Sequence, residues 1–132
     1  MQHMRYLNLF EKVTRVNTKY CFNYNEGLVF IVPRRLVSKA IGEDAKNLKR
    51  INQIIHKRIK VVAQPVSIKD VKSFIETVVS PVTFNDIEVK EDEVILSAGS
   101  RNKAALLGRN KRRLLEMQKI IKAIFGKEFK II

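Results

Sequence analysis

The chain repeats itself, and this constrains its fold more than any other feature of the sequence. From Pro33 to Ile51 a short basic segment runs into Gly42 and then into a longer basic segment. From Ser100 to Leu115 the same order recurs around Gly108. The two glycines stand 66 residues apart (108 − 42) in a chain of 132. Two compact halves of similar length, 1–64 and 65–132, are therefore expected.

The same sequence of elements can be read in both halves. Leu7, Phe10 and Val13 recur at helical spacing and predict a helix from about Met4 to Arg15. Tyr20, Phe22 and Tyr24 alternate with smaller residues, Asn25-Glu26-Gly27 makes a turn, and Leu28 to Val32 is wholly apolar, so a hairpin follows. The alternation suggests that the three rings form the face packed on helices, with a base-stacking platform as the lesser alternative. Pro33 suits the start of a short helix that Gly42 ends. Leu48, Ile51, Ile54 and Ile55 give the next helix an apolar stripe, and Ile59 to Val62 closes the half as a strand.

In the second half Ser67 and Asp70 form a capping-box pattern ahead of a stripe of Ile68, Val71, Phe74, Ile75 and Val78. Ser80-Pro81 stops that helix, Ile87 and Val89 lead into a Glu91-Asp92 turn, and Val94 to Leu96 completes a second hairpin. Ser100 is placed to cap a short helix ending at Gly108. Leu114, Leu115, Met117, Ile120, Ile121, Ile124 and Phe125 supply a long helical face, Gly126 can end it, and Phe129 to Ile132 is a last strand. Each half reads helix, strand, strand, helix, helix, strand, which is an α+β fold of two small three-stranded sheets covered by helices on one face. Only Ala63 to Val66 joins the halves, too short and too proline-bound for a flexible tether, so a fairly rigid unit is expected.

Twenty-six Lys and Arg against 13 Asp and Glu leave a formal charge of +13, which points to a polyanionic partner. No apolar run approaches the roughly 20 residues of a membrane span and no signal-type segment opens the chain, so the expectation is a cytoplasmic protein without a membrane partner. Cys21 is the single cysteine, which excludes an internal disulfide and a cysteine zinc site. It is expected to be a small buried hydrophobe rather than a reactive thiol. His3 and His56 stand far apart, Glu91, Asp92 and Glu93 fit a hairpin turn better than a cation site, and no nucleotide-binding glycine pattern or nucleophile-base spacing is present. No enzyme, no metal and no cofactor is expected.

This order of elements, with Ala40-Ile41-Gly42 and Leu106-Leu107-Gly108-Arg109-Asn110-Lys111 between the last two helices of each half, resembles the type II KH domain. Two such domains in tandem are similar to the KH pair of the transcription factor NusA, and above all to short archaeal NusA-like proteins. The resemblance covers nearly the whole chain. It implies that single-stranded RNA is gripped at the glycine loop, where a close backbone approach and a helix start favour phosphate. It also implies a role in transcription termination or antitermination, with RNA polymerase as a further partner; a monomer is expected. Both loops depart from the family's Gly-x-x-Gly, having Ala45 and Lys111 where the second glycine would stand.

The two loops also differ from each other. Glu43 and Asp44 put carboxylates where phosphate should approach, and are expected to cap the helix amides themselves, leaving a poor phosphate site. Arg109, Asn110, Lys111, Arg112 and Arg113 offer cations and an amide at the equivalent place, and no acid occurs from Arg101 to Arg113. The second half is therefore expected to carry most of the RNA binding through Leu107, Gly108 and these residues, with Arg101 and Lys103 as accessories. Arg34, Arg35, Lys39, Ile41, Gly42, Lys46, Lys49 and Arg50 extend the track onto the first half. A protein-interaction or ribosome-associated scaffold is the alternative, favoured by Glu43-Asp44 and by the missing second glycines; steep loss of binding with salt separates RNA from an apolar interface.

Overall fold

The computed structural model describes residues 2–132, with side chains from Met4 onward, so His3 lies outside the described side chains. The chain divides into two compact units, Met1–Gln64 and Pro65–Ile132. The first contains α1 (Gln2–Thr14), β1 (Tyr20–Tyr24), β2 (Gly27–Val32), α2 (Val37–Ile41), α3 (Lys46–Ile55) and β3 (Ile59–Ala63). The second contains α4 (Val71–Val79), β4 (Asp86–Val89), β5 (Glu93–Ser97), α5 (Lys103–Leu107), α6 (Arg112–Phe125) and β6 (Glu128–Ile131). Short 3-10 turns precede α2, α3, α4 and α6. The fold is α+β with two three-stranded sheets, ordered β1-β2-β3 and β4-β5-β6.

The repeat extends to strand register. Tyr20 pairs with Ile31 in the first antiparallel hairpin, and Asp86 pairs with Ser97 in the second, each 66 residues further on. In both units the last strand returns parallel to the second strand of the hairpin. The halves diverge in helix length, since α1 has 13 residues where α4 has 9. Conversely α6 has 14 residues where α3 has 10, so each unit is about one turn longer in one of the two paired helices.

In the first unit Phe10, Cys21, Leu28, Phe30, Val32, Ala40, Ile51 and Val61 form one buried cluster, with Phe10 and Phe30 stacked at 4.2 Å between ring centroids. Cys21, Phe30 and Val61 lie in register across the three strands. They therefore mark the face of the sheet that packs on the helices. Tyr20, Phe22 and Tyr24 alternate with Cys21, which corrects the expectation that the three rings form the helix-packed face: strand alternation turns them to the opposite one. Tyr20 and Phe22 stack there at 6.4 Å, with the Lys19 ammonium 5.4 Å from the Tyr20 ring. In the second unit Val71, Phe74, Ile75, Val78, Val94, Leu96, Leu106, Met117, Ile120, Ile121 and Phe129 are buried. Full burial of one such aliphatic side chain stabilises by roughly 1.5–3 kcal/mol.

Three apolar residues assigned to helical stripes stay at the surface. Ile54 is 51% exposed, because Leu48, Ile51 and Ile55 already fill the inward arc of α3. Leu115 is 54% exposed, and at 100° per residue it lies about 160° around α6 from Met117. Ile68, 40% exposed, belongs to the 3-10 turn before α4 and not to the helix. Capping departs in detail as well. Ser67 Oγ accepts from Lys69 N at 3.3 Å, while Asp70 Oδ2 accepts from Val66 N at 2.9 Å, a reciprocal pair displaced from the expected box. α5 starts after Asn102 with no side-chain cap, so Ser100 does not cap it; the Asn102 amide is turned onto Thr83 instead.

Cys21 is 5% exposed, and burial pushes its thiol from 9.0 up to about 12. A pKa raised by folding means that the unfolded chain releases this proton first. The contribution to stability is whole below pH 9.0 and is lost as pH rises toward 12. Urea melts at about pH 8 and about pH 10 should show a decline that Cys21→Val reduces. Alkylation of the native thiol should run roughly a hundredfold slower than that of the urea-unfolded chain.

No described helix is long and apolar enough to cross a membrane. Among the described residues no group of three His, Cys, Asp or Glu is placed to hold a metal ion.

Candidate nucleic-acid interface

Each unit turns a tight corner between its short and its long helix, and the two corners have the same backbone. Gly42 has φ 80° and ψ 165°, and Gly108 has 77° and 170°, a region open in practice only to glycine. Two residues on, Asp44 and Asn110 are left-handed at φ 54° and 56°, and Ala45 and Lys111 follow at 58° and 60°. A bond from Ala45 N to Gly42 O and one from Lys111 N to Gly108 O, both 3.1 Å, close each loop. The glycine N–H donates back into the short helix at 3.0 Å in both, to Ser38 O and to Ala104 O.

The side chains follow from that backbone. Asp and Asn tolerate the left-handed region better than other non-glycine residues, which accounts for Asp44 and Asn110 at the third loop position. Ala45 and Lys111 have no such allowance. They occupy the place where a second glycine relieves strain, and each holds a conformation that costs about 1–2 kcal/mol for an L-residue with a β-carbon. Ala45→Gly and Lys111→Gly should each stabilise their unit by about 0.5–1 kcal/mol in denaturant melts, the gain being reduced by the greater freedom of glycine in the unfolded chain.

Glu43 and Asp44 do not cap α3: neither the 3-10 turn nor the helix has a side-chain cap bond. This corrects the expected self-capping of the first loop. With Asp44 itself in the left-handed turn and both side chains exposed, the carboxylates face solvent. The first corner therefore keeps the shape of the second while carrying the opposite charge.

In the second unit four lysines have partners, while Lys69, Lys90 and Lys119 are exposed with no ion pair or side-chain hydrogen bond among the described residues. Lys72 pairs with Asp86 at 3.3 Å, Lys122 with Glu128 at 3.1 Å and Lys130 with Glu93 at 3.6 Å, while Lys127 donates to the carbonyls of Lys90 and Glu91. The Lys72 ammonium and the Ile87 N–H also hold the Asp86 carboxyl below its ordinary value, the backbone bond contributing most. What sets the corner apart is that its cations are gathered in a stretch without acids, from Arg101 to Arg113. Arg101, Lys103, Arg109 and Lys111 are exposed, and among the described residues no ion pair or hydrogen bond engages their side chains. Arg112 is exposed and meets Glu116 only at 3.9 Å. Leu107 and Gly108 are half-buried beside them, and Asn110 is exposed.

Arg113 is placed differently. It is half-buried, and its Nη1 donates to Ala105 O at 2.8 Å, so one end of its guanidinium is committed within the protein. This corrects the expectation that Arg113 stands with the open cations of the loop. The signal that could have separated it is its alignment, at the same offset of 66, with the uncharged Asn47. In the first unit Arg34, Arg35, Lys39, Lys46, Lys49 and Arg50 are exposed, and Ile41 and Gly42 are half-buried.

No family model matches the chain. It is similar to a "Probable transcription termination protein NusA" of Methanococcus vannielii, 29% identical over 85 residues, covering 64% of this chain and 47% of that protein. A protein of the same description from Methanocaldococcus jannaschii is 26% identical over 120 residues, covering 88% of this chain and 64% of that one. The chain thus matches about half to under two thirds of the length of these relatives. Among solved structures, the crystal structure of APE1850 superposes with a TM-score of 0.68 at 21% identity, covering 98% of this chain and 95% of that one, a likeness of fold.

Proposed function

We infer that the chain binds single-stranded RNA through its second helix-to-helix corner, as a NusA-like transcription factor built from two KH-type units. The observation that carries this reading is the contrast in the second unit. Lys72, Lys122 and Lys130 each meet a carboxylate, whereas Arg101, Lys103, Arg109 and Lys111 are gathered around a glycine corner, in a stretch without a single acid, with their charges open to solvent. Unpaired cations beside a backbone that a β-carbon would obstruct form a surface onto which a phosphate chain can be laid. The half-buried Leu107 at its margin offers apolar contact to a base.

The similarity to archaeal proteins described as transcription termination factors supports nascent transcript as the RNA and RNA polymerase as a neighbour. The activity proposed is binding, not catalysis, by a monomer in the cytoplasm. The exposed Glu43 and Asp44 favour a division of labour, with the first corner left out of phosphate contact.

The test is a titration of short single-stranded RNAs of mixed sequence at two salt concentrations. Each phosphate contact released should contribute about 0.7 to the slope of log affinity against log salt. Affinity that is insensitive to salt would point instead to an apolar protein interface and a scaffold role.

A further inference from the structure

The two corners share a strap. Asn47 Nδ2 donates to Lys39 O and to Ala40 O, both at 3.2 Å, and Arg113 Nη1 donates to Ala105 O at 2.8 Å. Asn47 and Arg113 are equivalent in the repeat, and so are Lys39 and Ala105, each pair 66 residues apart. Each side chain runs from the first turn of the long helix to the same carbonyl near the end of the short one, where helix carbonyls lack intrahelical partners. Each also lies over the loop glycine. A β-carbon on Gly42 would come 2.9 Å from Asn47 Nδ2, and one on Gly108 would come 2.7 Å from Arg113 Cγ.

Resting on the RNA-binding reading, we propose that Arg113 is a positioning residue that straps the basic corner shut, and not one of its phosphate ligands. A neutral amide and a guanidinium hold the same carbonyl over the same backbone, so the element common to both units is the donated bond and not the charge. Arg113 is half-buried while Arg109, Lys111 and Arg112 are exposed. A corner fixed before RNA arrives loses less freedom on binding, and the open cations beside it gain from that order.

The unit supplies its own control, since Arg113→Asn places the first unit's strap in the second. Arg113→Ala should weaken RNA binding by roughly tenfold, and Arg113→Asn should recover most of that loss with the wild-type salt slope. Amide exchange at Gly108 and Lys111, whose N–H groups close the corner, should accelerate in Arg113→Ala and return toward wild type in Arg113→Asn. A phosphate ligand gives another result: both variants lose affinity alike and the slope falls by about 0.7. That outcome, or exchange unchanged in Arg113→Ala, overturns the proposal. If the wild-type protein binds no RNA, the functional reading fails while the exchange measurement still decides the strap.

Discussion

Arg109→Glu combined with Lys111→Glu should lower affinity for a short unpaired RNA by about a hundredfold at near-physiological salt, and make its salt dependence shallower by about 1.4 in slope. The size of the effect comes from three features of these two side chains. They flank Asn110 in the loop itself, they are exposed, and no acid of the protein is paired with them. Nothing in the fold is lost with the charge, so the melting behaviour of the double variant should stay near that of the wild type. Glu43→Lys in the same assay should raise affinity or leave it unchanged, since it removes a carboxylate from a corner of the same shape. Equal losses in both variants would mean that the loops matter for folding and not for contact.

The second large effect is on the corner's backbone. Gly108→Ala should destabilise the second unit by about 2–3 kcal/mol, because φ 77° with ψ 170° is closed to a β-carbon and the new atom would meet Arg113 N at 2.9 Å and Arg113 Cγ at 2.7 Å. Gly126→Ala is the control. It is also at positive φ, but nothing lies within 4 Å of its added carbon, so only the left-handed cost of about 1–2 kcal/mol applies. Chemical denaturation of the two variants measures the difference. Equal destabilisation would show that the close approach of Arg113 contributes nothing.

Much of this architecture is written in periodicity. Phe10, Ile51, Phe74 and Met117 are spaced to face inward from helices, and the hairpins announce themselves by apolar runs on either side of a turn. The errors fall where periodicity carries no phase. Leu115 fits a list of apolar residues at helical intervals but points the other way around α6, and Ile68 precedes the helix it was assigned to. Tyr20, Phe22 and Tyr24 alternate as a strand should, yet alternation does not tell which face meets the helices; burial of Cys21 among Phe10 and Phe30 does.

The candidate site was legible as a glycine in a basic context, but its internal order was not. Sequence gives charge without partners, so Arg113 looked the same as Arg109 until its bond to Ala105 was seen. It also gives no torsions. That Ala45 and Lys111 are held left-handed explains why glycine would be easier there, and why Lys111→Gly should make the protein more stable and a weaker RNA binder at once.

The two corners agree in torsion to within a few degrees while one displays Glu43 and Asp44 and the other Arg109 and Lys111. Shape at this bend is dictated by a glycine, a strap and a left-handed pair, none of which requires a particular sign of charge. The tetrapeptides 42–45 and 108–111 are thus exchangeable cassettes, and the polarity of either corner can be rewritten without disturbing the scaffold that presents it.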